Sequence, residues 1–313
     1  MAQLLFKGST AVVTGAGGGL GRQYALMLAA RGASVVVNDV GGSLDGSASP
    51  SSTAAQAVVD EILAGNGNAV ANYDNVVTGS QAILDQAMHE FGGVDILINN
   101  AGILRDKSFH KSKKEDWDAV IDVHLHGTAN LCREVWPHMM EAKAGKIVNI
   151  GSAAGLYGNF GQSNYSAAKM GILGLTNTLA EEGKKHNISV NCVCPIAASR
   201  MTETVGLPKA VLNLLEPEHV APFVVYLAHP DTKISGKIYE VGGGWYSEVK
   251  WARSAGVTLG SAGSPASIEA IRDNMAAVGD FGANSTFPSS PSDAFKSMMA
   301  AKARGAFSSI FGG

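Results

Sequence analysis

Short runs of β-branched and aliphatic residues recur along the chain: TAVVT from Thr10, SVVVN from Ser34, AVANY from Ala69, VDILIN from Val94, KIVNI from Lys146, ISVNCVC from Ile188 and IYEV from Ile238. They are almost continuously apolar rather than alternating, as expected of strands covered on both faces. Between them lie helix-length segments, from Leu20 to Arg31, Thr53 to Ala64, Gly79 to Phe91, Glu115 to Glu141 and Tyr165 to Lys185. Strands that alternate with helices predict βαβ units and a parallel sheet, so the pattern predicts an α/β, doubly wound, seven-stranded architecture.

One connection stands out. GGSLDGSASPSS, residues 41–52, is a glycine-, serine- and proline-rich loop, longer than usual between a strand and its helix. It is either mobile or an edge of the ligand site. After Trp245 the composition shifts to alanine, serine and glycine, dividing the chain into a first domain, 1–245, and an extension, 246–313. Within the extension, Ser264-Pro265 precedes Ile268, Ile271, Met275 and Val278, and Ser292-Asp293 precedes Phe295, Met298 and Met299. Each reads as an N-cap followed by an apolar stripe. The extension is therefore expected to be helical and docked on the first domain, frayed at its last residues.

Composition narrows the function. Hydrophobic residues are 46% of the chain and charged ones 16%, with a net charge of -3, which gives no basic footprint for nucleic acid. No apolar run is long enough to span a membrane, and no signal peptide is legible, so a soluble intracellular chain is expected. Cys132, Cys192 and Cys194 cannot all pair, and no further ligands accompany Cys192 and Cys194, so neither a disulfide framework nor a metal site is expected.

The first strand runs into TGAGGGLG and then a helix, placing Gly15, Gly19, Leu20 and Gly21 at the turn. Glycines there let backbone amides approach a pyrophosphate, which the helix N-terminus stabilises. Asp39 closes the second strand, where a carboxylate holds ribose hydroxyls and repels a 2'-phosphate. The combination predicts a Rossmann-like fold that binds NAD rather than NADP.

Tyr165 and Lys169 stand four residues apart in YSAAK and share one helix face, while Ser152 ends the KIVNI strand. An ammonium near a phenol favours the phenolate, so Lys169 is expected to lower the pKa of Tyr165 for proton exchange with an alcohol or carbonyl oxygen held by Ser152. Two further features are open at this stage. Arg105 and Lys107 either meet anionic phosphates of a substrate or belong to a solvated loop, and Trp117 and Trp136 read as packing anchors.

With TGxxxGxG at Thr14, NNAG at Asn99, Ser152, YxxxK and Pro195, the first 245 residues resemble the short-chain dehydrogenase/reductase family. The resemblance implies Tyr165 as general acid/base, Lys169 as its support and a nicotinamide-ribose contact, and Ser152 as the substrate-orienting group. It also implies cofactor contacts from Asp74, Asn75, Asn99, Ala101, Gly102, Pro195, Ala197 and Ala198. VVVNDVGG, NYDNV, NNAGILRDKSF, GLYGNFGQSNYSAAK and SRMTETV resemble the (3R)-hydroxyacyl-CoA dehydrogenase units of type-two peroxisomal multifunctional enzymes, also called 17β-hydroxysteroid dehydrogenases type four, and their stand-alone bacterial relatives. That likeness extends over nearly the whole chain. It implies an acyl-CoA or steroid-type substrate and a homodimer built on the two long helices. It also implies a cytoplasmic location for a stand-alone enzyme or a peroxisomal one for a piece of a multifunctional protein, no SKL-type signal being present. Two departures from the family pattern stand out: His124 in VHLHG, where many members carry asparagine, either takes over that residue's role or packs, and PIAASRM replaces PNAGSRM, putting Ile196 near the cofactor.

Overall fold

The computed structural model describes residues 3–43, 45–47, 51–197, 213, 215–261 and 263–311, with side chains up to 302. Ala198 and the SRMTETV stretch lie outside the described residues. The chain divides into two compact units, Met1–Glu248 and Val249–Gly313.

In the first unit the strands are β1 Thr10–Thr14, β2 Ser34–Asn38, β3 Asn68–Asn72, β4 Ile96–Asn99, β5 Gly145–Ile150, β6 Ile188–Pro195, β7 Ile238–Gly242 and β8 Trp245–Val249. They form one sheet in the order β3-β2-β1-β4-β5-β6-β7-β8. The pairs from β3 through to β7 are all parallel. The sheet thus has eight strands where the hydrophobic pattern gives seven. β8 escapes that pattern because Trp245 and Tyr246 are exposed. Gly243 and Gly244, at φ of 57° and 76°, turn it directly back on β7, a two-residue hairpin that only an antiparallel neighbour permits.

The helices of this unit are α1 Gly19–Ala30, α2 Thr53–Ala64, α3 Ser80–Phe91, α4 Lys114–Ile121, α5 Gly127–Ala142, α6 Ala153–Tyr157, α7 Ser163–Gly183 and α8 Ala221–Leu227. Alternate strand residues feed two separate cores. Val13, Val35, Val37, Ile96, Ile98, Val148 and Val193 pack with residues of α1, α2 and α8. Val12, Val36, Leu97, Ile147 and Val190 pack with residues of α3 and α5 on the other face. Each such side chain contributes roughly 1.5–3 kcal/mol on burial, which explains why the strand sequences are apolar at both parities.

The segment read as one helix from Glu115 to Glu141 is interrupted. Asp122–His126 form a π turn between α4 and α5, and His124 within it is buried. A single turn of wider winding shifts the side chains that follow and is a feature often found at functional sites.

The second unit contains α9 Ile268–Asp273, α10 Met275–Val278 and α11 Pro291–Phe311. The N-caps fall a little away from their expected positions. Ser267 Oγ accepts from Ala270 N at 3.1 Å to start α9. At α11, Ser290 Oγ accepts from Asp293 N and Asp293 Oδ2 from Ser289 N, each at 3.0 Å, with Pro291 opening the helix. A proline at the first helical position gives up an amide that the helix would leave unpaired, so the start precedes Ser292.

Candidate active site

Strand order reverses between β1 and β4, and the carboxyl ends of these strands define the crevice where open α/β sheets bind ligands. The glycine turn follows β1 there. At Gly21 a Cβ would fall 2.2 Å from the Gly15 carbonyl oxygen and 2.6 Å from Asn100 Nδ2, and at Gly15, with φ +60°, it would meet Ala101 Cα at 2.8 Å. Around Gly18 and Gly19, in contrast, nothing lies within 4 Å of an added Cβ. Gly18 caps α1 without a side-chain bond, and no acidic residue occupies the first turn. Tight packing below and open space above an uncapped helix N-terminus is the arrangement a pyrophosphate requires. Leu20 anchors this turn by packing on the core.

Asp39 is fixed by two backbone donors, Gly17 N to Oδ2 at 2.8 Å and Gly41 N to Oδ1 at 2.7 Å. The carboxylate therefore links the glycine turn to the loop after β2, and its remaining lone pairs suit ribose hydroxyls. Asp74 is held by Asn72, whose Nδ2 donates to Asp74 Oδ2 at 2.8 Å, and Asn75 Oδ1 accepts from Val77 N at 2.8 Å. These residues fit a nicotinamide dinucleotide.

After β4 the expected asparagine turns inward. Asn99 Nδ2 donates to Asn149 Oδ1 at 2.9 Å inside the core, so its side chain faces away from the crevice. Its neighbour Asn100, which sequence reading did not single out, ties the two strand ends together. Asn100 Nδ2 donates to the carbonyls of Thr14 and Gly15, and Thr14 Oγ1 accepts from Asn100 N and Ala101 N, all at 3.0 Å. The NNAG tetrad could have signalled a clamp, but it does not reveal which asparagine faces the glycine turn. On the far side, Pro195 ends β6 and Ile196 N donates to the Val241 carbonyl at 2.7 Å, which leaves Ala197 partly buried just beyond.

Ser152 caps α6, its Oγ accepting from Ala154 N at 3.1 Å. α7 presents Tyr165 and Lys169 on the face toward Ser152, and Gly155 lets α6 approach so closely that a Cβ there would meet Lys169 Cβ at 2.9 Å. Ser152 stands close enough to Tyr165 to favour ionisation of its phenol. The Lys169 Nζ lies 5.5 Å from the Tyr165 ring centroid and donates to the Ile150 carbonyl at 2.6 Å. All three residues predicted for proton transfer are thus brought together.

Their electrostatics differ from the simple expectation. Burial pushes the Lys169 ammonium down to about 8. Burial also raises the Tyr165 phenol above its usual value, while the nearby Ser152 hydroxyl acts in the opposite direction. The net shift is thus upward, opposite to the lowering expected from Lys169: loss of water around the phenol dominates it, while the ammonium is turned to the Ile150 carbonyl.

Arg105 and Lys107 both pair with Asp116, at 3.4 and 3.0 Å, and Arg105 Nε donates to the Asp45 carbonyl at 3.0 Å. Asn164, fully buried in the first turn of α7, donates to the carbonyls of Arg105 and Asp116 at 3.2 and 3.3 Å. This polar residue fastens the loop after β4 to the helix that carries Tyr165. Neither its type nor its spacing marks it in the sequence.

His124 stands beside Tyr165, ring centroids 5.0 Å apart at 86°. Burial and the nearby Lys169 charge hold its pKa down to about 3. An unfolded histidine takes up its proton near pH 6.5, so between there and pH 3 the unfolded chain binds more protons than the folded one. The stabilisation from a neutral His124 is full above pH 6.5 and is lost as pH falls through that window, by on the order of 4 kcal/mol in total. Urea unfolding of the native protein is expected to show this acid limb, and His124→Phe to flatten it. An equally steep limb in the variant would assign the loss to other groups.

Residues 9–207 match the sequence profile described as short chain dehydrogenase. The peroxisomal hydratase-dehydrogenase-epimerase of Saccharomyces cerevisiae is 54% identical over 253 residues, which are 81% of this chain and 28% of that protein. A short-chain type dehydrogenase/reductase of Mycobacterium tuberculosis is 54% identical over 235 residues, covering 74% of this chain and 82% of the relative. The solved structure of full-length peroxisomal multifunctional enzyme type 2 from Drosophila melanogaster superposes with a TM-score of 0.80 at 37% identity, over 95% of this chain and 50% of that one. The chain thus spans about half or less of the multifunctional proteins named here.

Proposed function

Because the chain belongs to the short-chain dehydrogenase family, we propose that it oxidises (3R)-3-hydroxyacyl-CoA thioesters to 3-ketoacyl-CoA thioesters with NAD. The observation that supports the reaction type is the convergence of Ser152, Tyr165 and Lys169 beside the crevice. The substrate class rests on similarity to multifunctional proteins, one of which is named for hydratase and dehydrogenase activities. A hydratase makes a hydroxyl that a dehydrogenase then oxidises. By the same likeness, the chain acts as a homodimer, in the cytoplasm if it stands alone and in peroxisomes if it is part of a longer protein.

In this reading Gly15, Gly19 and Gly21 shape the turn that receives the pyrophosphate. Asp39 takes the adenosine ribose hydroxyls, with no arginine following it to accept a 2'-phosphate. Asp74 and Asn75 flank the adenine, while Ala101, Gly102, Pro195 and Ala197 border the rest of the dinucleotide through backbone. Bound nicotinamide supplies the hydride acceptor. Ser152 Oγ and Tyr165 Oη hold the substrate oxygen between them, and Tyr165 takes the hydroxyl proton as the carbonyl forms. Lys169 compensates the phenolate that forms when Tyr165 gives up its proton, anchored meanwhile by the Ile150 carbonyl. Since burial raises the Tyr165 pKa, oxidation requires the less populated phenolate at neutrality. Its rate is therefore expected to rise with pH on the alkaline side of neutrality, and reduction of the ketone to be favoured below it.

The test is NADH formation by purified protein with NAD or NADP and a panel of (3R)- and (3S)-3-hydroxyacyl-CoA thioesters beside estradiol. Turnover is expected for the (3R) thioesters with NAD, faster at alkaline pH. Turnover of the steroid alone would reassign the substrate, and activity confined to NADP would overturn the role given to Asp39.

A further inference from the structure

His124 is buried at 3% exposure, yet its Nδ1 has no hydrogen-bond partner among the described residues. A phenylalanine would fill similar space without an orphaned polar atom, so packing alone is a poor account of an imidazole here. Two contacts show what the ring does. On one side Nε2 lies 2.8 Å from the Ile103 carbonyl oxygen and 3.2 Å from Ile103 N, so the ring holds this backbone in either neutral tautomer, donating to the carbonyl or accepting from the amide. The same edge of the ring fills the space over Gly102, where a Cβ would come within 2.2 Å of His124 Cε1. On the other side the imidazole meets the Tyr165 ring edge to face, 5.0 Å between centroids. The π turn between α4 and α5 delivers the side chain to this position.

We propose that His124 is a positioning residue for Tyr165: it wedges the turn after β4 against the phenol ring and excludes water from it. The inference rests on the role given to Tyr165 above. It accounts for a glycine at 102, because the wedge occupies the volume that any larger side chain would need. It also accounts for a histidine that stays neutral, because burial away from water, and then the Lys169 charge beside it, both disfavour a protonated ring. The groups around Tyr165 come from several elements: Lys169 from α7 itself, Ser152 from the start of α6, His124 from the π turn, Asp106 from the loop after β4, and Cys194 from β6. Of these, His124 is the aromatic neighbour in ring contact with Tyr165, the contact through which it excludes solvent.

The test is titration of Tyr165 by NMR in full-length protein carrying ring-labelled tyrosine, its resonance identified by its absence from Tyr165→Phe. Native Tyr165 is expected to stay protonated beyond the pH at which exposed tyrosines titrate. His124→Ala and His124→Asn, which open the wedge, are expected to lower its midpoint by at least about half a unit, and His124→Phe, which keeps a ring there, to leave it near the native value. In kinetics the alkaline rise of the oxidation rate should move to lower pH with that midpoint in the two opened variants, while kcat on the alkaline plateau should fall about tenfold with KM for NAD nearly unchanged. Circular dichroism establishes that each variant is folded, and either opened variant suffices if the other is not. A native midpoint in a folded, opened variant overturns the proposal. The titration needs no substrate, so it decides on His124 even if no hydroxyacyl thioester is turned over, an outcome that would count against the dehydrogenase reading alone.

Discussion

Tyr165→Phe is expected to lower kcat/KM for the hydroxyacyl substrate by about a thousandfold or more while NADH binds as it does to the native protein. The substitution removes one oxygen and keeps the ring. The edge contact with His124 at 5.0 Å and the position of Lys169, 5.5 Å from the ring centroid, both survive it. The phenol oxygen beside Ser152 is lost, and with it the group proposed to exchange the substrate proton. None of the dinucleotide contacts proposed at Gly15, Asp39 or Asp74 depends on the phenol, so nucleotide affinity provides the internal control. Stopped-flow turnover and NADH fluorescence titration on the same sample separate the two effects. Turnover within tenfold of native would remove Tyr165 from the chemistry.

Gly21→Ala should lower stability by about 3 kcal/mol, equivalent to roughly 8 °C in Tm for a domain of this size. The added methyl meets backbone, 2.2 Å from the Gly15 carbonyl oxygen and 2.9 Å from Ala16 Cα. Flexible side chains can rotate away, but here α1 has to move off the turn as a whole. That shift also breaks the bonds from Asn100 Nδ2 to the Thr14 and Gly15 carbonyls, so NADH binding is expected to weaken with stability. Gly18→Ala is the matched comparison. Its φ of -170° is extended backbone and no atom lies within 4 Å of the new methyl, so stability should change by less than about 0.5 kcal/mol. Nucleotide affinity should still fall, because the methyl would stand in the space left open above the helix N-terminus. Differential scanning calorimetry together with NADH titration distinguishes the two variants. Equal melting temperatures for them would contradict the close packing described at Gly21.

Cys192 and Cys194 illustrate how a strong pattern in sequence can serve packing. Both thiols lie in β6 and are fully buried, and a Cβ at Gly151 would meet each Sγ at 2.7 Å. The pair fills the space beneath the turn that carries Ser152, which explains a glycine immediately before that serine.

Local rules made much of the molecule legible in its sequence. Apolar runs at both parities identified β1 to β7 and the two-faced core, because a strand covered by helices on each side has no polar face to show. TGAGGGLG, Asp39, Ser152 and the YSAAK spacing located the crevice, because each depends on neighbours within one turn, strand end or helix face. What depended on contacts between distant segments was decided only by the tertiary structure. β8 joined the sheet through two positive-φ glycines despite an exposed, aromatic face. Asn100 rather than Asn99 became the clamp on the glycine turn, a choice set by which side of β4 each side chain leaves. The sign of the Tyr165 shift was likewise settled by burial: four residues of helix bring Lys169 near, but only the packed fold determines how much water the phenol loses. Spacing along a chain specifies which groups can meet, whereas desolvation is a property of everything that closes around them.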